Sequence, residues 1–251
     1  MTMSAAAVAV PWARLLPGAR QEAAWIVDAA CVRSWLGEVA GRLEAERDFL
    51  TQLDAAIGDA DHGINMHRGF TAVMARVAAA EDATGGQLLK NAGRTFVSTV
   101  GGAAGPLYGT AFLQAGDALG EHGSFGPRLL RDALRAALEG VQRIGAASVG
   151  DKTMVDALGP ALRAFELELR MGGSLETATS GAREAAAEGM RSTIPLQARK
   201  GRASYLGPRS VGHQDPGATS TALMFAALAQ AVVADRSQRF AGGARHRGSG
   251  P

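Results

Sequence analysis

Residues 129–144 show the pattern that governs most of this chain. Leu130, Ala133, Leu134, Ala137, Leu138, Val141 and Ile144 recur at intervals of three and four, with Arg131, Asp132, Arg135, Glu139 and Arg143 between them. That spacing puts the apolar side chains on one stripe of an α-helix and the charges on the opposite face. Similar stripes cover about 21–53, 62–80, 86–100, 106–119, 151–170, 174–192 and 217–235, giving eight predicted helices. Gly58, Gly85-Gly86, Gly101-Gly102, Gly126-Pro127, Gly150, Gly172-Gly173 and a 195–216 loop separate them. No segment alternates with a period of two over a useful length, so no sheet is expected. Amphipathic helices joined by short connections bury their stripes against one another, which predicts an all-α bundle or barrel.

A chain of 251 residues can bury a sizeable core as a single domain. The 33 glycines and the 5% aromatic content favour closely packed helices. Boundaries are expected at a loose leader over 1–20, one helical domain over 21–236, and a disordered Gly/Arg-rich tail over 237–251. The net charge of +2, without a run of Lys or Arg, argues against a nucleic-acid partner. Cys31 is the only cysteine, so no intrachain disulfide can form and a reducing compartment is the default. The apolar runs Ala5–Val10 and Ala222–Ala234 read as too short to cross a bilayer. A cytoplasmic protein with no membrane association is expected.

The densest chemistry lies in L-D-A-A-I-G-D-A-D-H-G-I-N-M-H-R-G, Leu53 to Gly69. Asp54, Asp59 and Asp61 sit at offsets 0, +5 and +7, where the last two can converge from a turn and the first can face them from the preceding helix. Three carboxylates within ~4 Å repel by about 4 kcal/mol per pair at an effective dielectric near 20. A cation would keep them ionised together, and oxygen ligands without Cys select a hard ion, Mg²⁺ before Zn²⁺. A cap plus solvated turn residues is the competing reading. His62 could orient a carboxylate or phosphate, or simply bond within the helix start.

Gly101 to Gly109 join two helical stripes, with Pro106 suited to a first turn. Such a turn could bind phosphate at a helix N-terminus, or could serve tight helix packing. No strand precedes it and Gly-Lys-[Ser/Thr] is missing, which excludes the Rossmann and P-loop patterns. In Gly150-Asp151-Lys152-Thr153-Met154, Asp151 is an N-cap candidate, Lys152 could face solvent or a phosphate, and Met154 could be core or pack on a base. The loop from Pro195 to Pro216 carries Arg199, Lys200, Arg202 and Arg209 beside Asp215-Pro216-Gly217. A long Arg-bearing loop in a tight helical domain suggests function, and Arg suits phosphoryl recognition. Together these parts describe a Mg-nucleotide site for phosphoryl transfer. The five His show no zinc spacing, and no Ser or Cys sits where a catalytic nucleophile would.

In register, LDAAIGDADHGINMHRGF, GGAAGPLYGT, GDKTM and QARKGRASYLG…GHQDPGATS resemble the L subunits of dihydroxyacetone kinase, over about 21–235. The resemblance implies an eight-helix antiparallel barrel with ADP (ATP transiently) and two Mg²⁺ at one end. It implies that Asp54, Asp59 and Asp61 bind the metals and that His62, Gly63, Ile64 and Asn65 form the helix start beside the nucleotide. Ala103 and Ala104 would line the phosphate turn, and Gly145 and Met154 would lie along the nucleotide. Arg202, the catalytic candidate, and Asp215-Pro216-Gly217 would close the site. Where the family usually has Ser, this chain has Ala104, which removes a hydroxyl contact but keeps the backbone donors.

The implied activity is a relay: ADP retained as coenzyme is phosphorylated by a phosphohistidine-bearing M subunit of the phosphotransferase system. The phosphoryl group then passes to dihydroxyacetone on a K subunit. The alternatives are an L subunit that uses free ATP, for a related ketose such as erythrulose, and a non-catalytic Mg-nucleotide-binding module.

Overall fold

The structure is a computed structural model that describes residues 26–245. The predicted leader, residues 21–25 of the first predicted helix and the last six residues of the predicted tail lie outside them.

Nine α-helices are present among the described residues: α1 (Ala29–Ala45), α2 (Arg47–Ile57), α3 (His62–Ala78), α4 (Gly85–Thr99), α5 (Ala104–Leu119), α6 (Pro127–Gly145), α7 (Val155–Arg170), α8 (Leu175–Ser192) and α9 (Pro216–Arg245). The stripe read over 21–53 accounts for two of them. Asp28 starts α1 by accepting from the Cys31 N–H at 3.0 Å. At Glu46 the rod bends, yet Glu46 N–H still donates to Arg42 O and Leu50 N–H to Glu46 O. The first rod is therefore one bent unit, and the eight predicted rods are all there. Each packs on the next along the chain, α1 with α2 counting as one rod, and α9 returns to pack on α1. That closes the ring into an all-α barrel. Inside it Phe70, Phe96 and Phe112 meet one another with ring centroids 5.1–6.0 Å apart.

The glycines set how closely the rods approach. A Cβ on Gly86 of α4 would lie 2.0 Å from the Gly120 carbonyl oxygen just beyond α5, and one on Gly93 would lie 2.7 Å from the Gly109 oxygen. These two helices touch backbone to backbone, which no larger residue at those positions would permit.

Three features depart from the sequence reading. A two-residue antiparallel pairing joins β1 (Val27–Asp28) to β2 (Ser124–Phe125), too short for an alternating pattern to register. The last helix runs past residue 235 to Arg245, into the tail expected to be disordered. Polar contacts hold this extension where the apolar stripe ends: Arg236 with Glu176, and Arg239 with Asp28 and Asp235. The third concerns length. As a continuous helix, Pro216–Arg239 is long and apolar enough to cross a membrane, contrary to the estimate from the apolar run alone, but its most apolar window is 67% buried. It packs against α1, α7 and α8, as a core helix does.

Candidate functional site

Four helix N-termini face one end of the barrel. His62 (first in α3), Ala104 (first in α5), Met154 (just before α7) and Pro216 (first in α9) all line one cleft there. Each N-terminus brings the positive end of a helix dipole to the cleft, which suits anions, although several first-turn N–H groups of α3, α7 and α9 are already bonded to Asp54, Thr153 and Asp215. The cleft is open to solvent at its mouth.

Asp54, Asp59 and Asp61 meet at its edge, with one carboxylate oxygen from each lying within 4.8 Å of the others. Asp54 sits in the last turn of α2 and is buried. Its Oδ2 accepts from the backbone N–H of Asp61 (2.8 Å) and of His62 (3.1 Å), tying the end of α2 to the start of α3. Gly58 makes room for that carboxylate, since a Cβ there would fall 2.0 Å from Asp54 Oδ1. Ala60 takes the left-handed conformation (φ 61°) that turns the chain back between Asp59 and Asp61. Burial, and then the charges of Asp59 and Asp54, push the Asp61 carboxyl above its ordinary value.

Arg202 brings positive charge to this cluster. It opens a 3₁₀ segment, Arg202–Ser210, within the long loop, and its guanidinium lies 3.1 Å from Asp59 Oδ2. Lys200 and Gly201 line the same wall. Arg199 and Arg209 are not among the lining residues, and Arg199 lies 3.9 Å from Asp151 instead. Across the cleft, Gly101, Gly102, Ala103 and Ala104 form the turn into α5. Gly102 is left-handed (φ 64°), and a Cβ on either glycine would meet nothing within 4 Å. The turn is open to a ligand, as the phosphate reading requires.

Asp215, Pro216 and Gly217 also line the cleft. Asp215 Oδ2 accepts from the Ala218 N–H at 2.7 Å, which caps α9, and burial pushes its carboxyl up to about 7. His62 is bonded through Nε2 to Ser220 Oγ at 2.9 Å. Ser220 in turn meets the Tyr108 hydroxyl at 2.7 Å, so α3, α5 and α9 are laced together behind the cleft. Burial lowers His62 to about 4 and keeps the ring neutral at pH 7.

Gly63, Ile64 and Gly145 do not line the cleft. Successive helix residues turn by about 100°, so the face that presents His62 and Asn65 directs Gly63 and Ile64 elsewhere. Gly63 presses on α2, where a Cβ would lie 2.0 Å from the Arg47 carbonyl oxygen. Ile64 is 52% exposed. Gly145 lies behind the lining residue Leu107, and Met154 is both buried and cleft-lining.

Asp151 is not the cap of α7. It accepts from the Ser148 N–H, while Asp156 accepts from Gly150 N–H (2.6 Å) and Thr153 N–H (2.7 Å). The signal for Asp156 was present as Thr153-x-x-Asp156, a capping pattern. Lys152 is among the residues lining the cleft, yet it is buried to 1% exposure. Tyr108, Ser220 and Thr193 are the other polar residues the sequence did not single out.

The family model described as DAK2 domain matches residues 56–230. The chain belongs to the DAK2 domain family. Among DAK2 relatives, the Escherichia coli (strain K12) protein named PEP-dependent dihydroxyacetone kinase, ADP-binding subunit DhaL, is 44% identical over 199 residues, spanning 79% of this chain and 95% of that protein. The D-erythrulose kinase of Mycolicibacterium smegmatis is 36% identical over 192 residues, which is 76% of this chain but 33% of that longer protein. The native crystal structure of the dihydroxyacetone kinase of C. freundii aligns with a TM-score of 0.61 at 25% identity, covering 92% of this chain and 38% of that one. This DAK2 chain therefore spans nearly the whole of the subunit-type relative and about a third of the longer kinases.

Proposed function

We propose that this protein is the nucleotide-binding subunit of a dihydroxyacetone kinase that retains Mg-ADP as a coenzyme. The observation that carries the reading is the carboxylate trio at the mouth of a cleft ringed by four helix N-termini. Its donors are all carboxylate oxygens, which fit Mg²⁺, and the like charges repel by about 3 kcal/mol per pair at 4.8 Å and a dielectric near 20 until a cation joins them. Asp54, Asp59 and Asp61 would hold two Mg²⁺, with Asp54 fixed by its two backbone bonds.

The Gly101–Ala104 turn would receive the phosphates through backbone N–H groups, so Ala104 suffices without a hydroxyl. Leu107 and Met154 would flank the rest of the nucleotide, beside His62, Asn65 and the Asp215-Pro216-Gly217 turn. Gly63 and Gly145 then act by packing the elements behind it, and Ile64, half exposed, makes no contribution to the site. Arg202 would neutralise charge building on the transferred group. When bound, Mg-ADP supplies the terminal phosphate that accepts and passes on the phosphoryl group.

The partners in this reading are a K subunit carrying dihydroxyacetone and a phosphohistidine-bearing M subunit of the phosphotransferase system, in the cytoplasm. A second reading, an ATP-using subunit for erythrulose, is favoured by the erythrulose kinases among the relatives, at 35–37% identity. Reconstitution with a K subunit separates the two. Phosphorylated M subunit is expected to drive many turnovers without exchange of prebound labelled ADP. Turnover with ATP alone, with loss of the label at each cycle, would favour the second reading.

A further inference from the structure

Lys152 occupies a place that nucleotide binding by itself does not explain. Its backbone is left-handed (φ 63°), a strained state for a non-glycine residue, and its side chain is almost wholly buried. The ammonium donates to Thr193 O (2.9 Å), Leu196 O (3.1 Å), Ser210 O (2.7 Å) and His213 O. Two of these carbonyls lie where the long loop leaves α8 and two where it returns to α9. One cation therefore gathers both ends of the loop. Burial disfavours its charge, while Asp215 and then Asp156 favour it.

Other bonds tie the same neck: Gly212 N–H to Ile194 O at 2.8 Å, Asp215 N–H to Thr193 Oγ1 at 3.0 Å and Ala198 N–H to Ser210 Oγ at 2.9 Å. Beyond the neck, the loop has only a small apolar footing, with Ala198, Ala203 and Leu206 packed on Ile57. With it go the Arg199 N–H bond to Asp151 O (3.1 Å) and the partly exposed Arg202–Asp59 pair (3.1 Å), while the buried bonds that fix the loop lie at the neck. The loop carries Lys200, Gly201 and Arg202 into the cleft wall, and its last residue is Asp215.

We infer that Lys152 is a positioning residue, an internal tethered cation that knots the neck of the 193–215 loop and thereby holds Arg202 and Asp215 at the cleft. A compact ammonium suits a ring of carbonyl oxygens, whereas a planar guanidinium does not. Without the charge, the Leu196, Ser210 and His213 carbonyls converge with no donor among them, Thr193 O keeps only the Leu196 N–H, and the neck opens.

The test is amide hydrogen exchange on the ligand-free full chain, which does not depend on the nucleotide reading. In Lys152→Met, amides of 194–214 are expected to exchange about tenfold or more faster while those of α4, α5 and α6 keep their wild-type rates. In Lys152→Ala, methylammonium is expected to slow the loop again, and tetramethylammonium, which has no N–H to donate, is not. Should Lys152→Met fail to fold, Lys152→Gln, which keeps two N–H donors, is measured in the same way. Loop exchange unchanged from wild type, or faster exchange spread evenly over every helix, would overturn the inference.

A second readout rests on the proposed function. Lys152→Met should lower both Mg-ADP affinity and phosphoryl transfer, and methylammonium should restore both in Lys152→Ala. If the wild-type chain does not bind Mg-ADP, the functional reading fails while the exchange result still decides the role of Lys152.

Discussion

Asp59→Asn is expected to lower the affinity for Mg-ADP by about 100-fold or more while leaving the fold intact, since even residues that only orient metal ligands cost 10–100-fold when changed. The expectation follows from what Asp59 touches. Its carboxylate faces Asp54, Asp61 and the Arg202 guanidinium, and the ion pair to Arg202 is partly exposed. Such a pair contributes about 0–1 kcal/mol, so the melting temperature should move little. The amide is isosteric but removes the negative charge on which the metal depends. Asp54→Asn provides the contrast, because Asp54 also accepts two backbone N–H bonds that join α2 to α3. That variant should lose binding and about 1–3 kcal/mol of stability together. Calorimetric titration with ADP at fixed Mg²⁺, alongside thermal melts, reads both quantities. Asp59→Asn with wild-type affinity would remove it from the metal site.

Arg202→Ala should slow phosphoryl transfer by about 10³-fold, the lower end of what a transition-state arginine contributes, with less than about a tenfold change in Mg-ADP affinity. Arg202 stands on the loop, half out of the cleft, and reaches only the Asp59 edge of the cluster. In the proposed reading it would meet charge that builds during transfer more than charge already neutralised by Mg²⁺. Lysine should rescue poorly, because a point charge lacks the planar fork of the guanidinium. Single-turnover transfer to dihydroxyacetone on a K subunit measures the chemical step. Equal losses in affinity and rate would instead make Arg202 a binding residue.

Much of the fold was legible because the barrel is built from one repeated rule, an apolar stripe at helical spacing. Residues 129–144 obey it cleanly and form α6 within one or two residues of the expected ends. The rule fails where apolar contact is not what holds the chain. Arg239 carries α9 past its last apolar turn through ion pairs to Asp28, 211 residues away, and to Asp235. Glu46 bends the first rod without breaking its stripe.

At the site, the carboxylate trio was legible because all three residues lie within eight positions and one turn brings them together. The Arg-bearing loop was legible as part of the site, but that Arg202 and Asp215 are the residues that close on it came only with the family resemblance, since nothing local joins them to Asp59. Lys152 was open between solvent and a phosphate; it lines the cleft, but its ammonium is turned onto backbone carbonyls. Its four acceptors lie 41 to 61 residues further along, and such a cage has no sequence pattern. Gly63 and Ile64 show the converse: a motif names a stretch, and helix geometry then turns half of it away from the cleft.

The nucleotide content of the protein, purified without added nucleotide and then denatured, tests most directly whether the cleft holds Mg-ADP as a lasting coenzyme. Stoichiometric ADP is expected, released from the folded protein when Mg²⁺ is chelated and rebound when it is restored. An empty cleft that takes up no ADP in the presence of Mg²⁺ would contradict it.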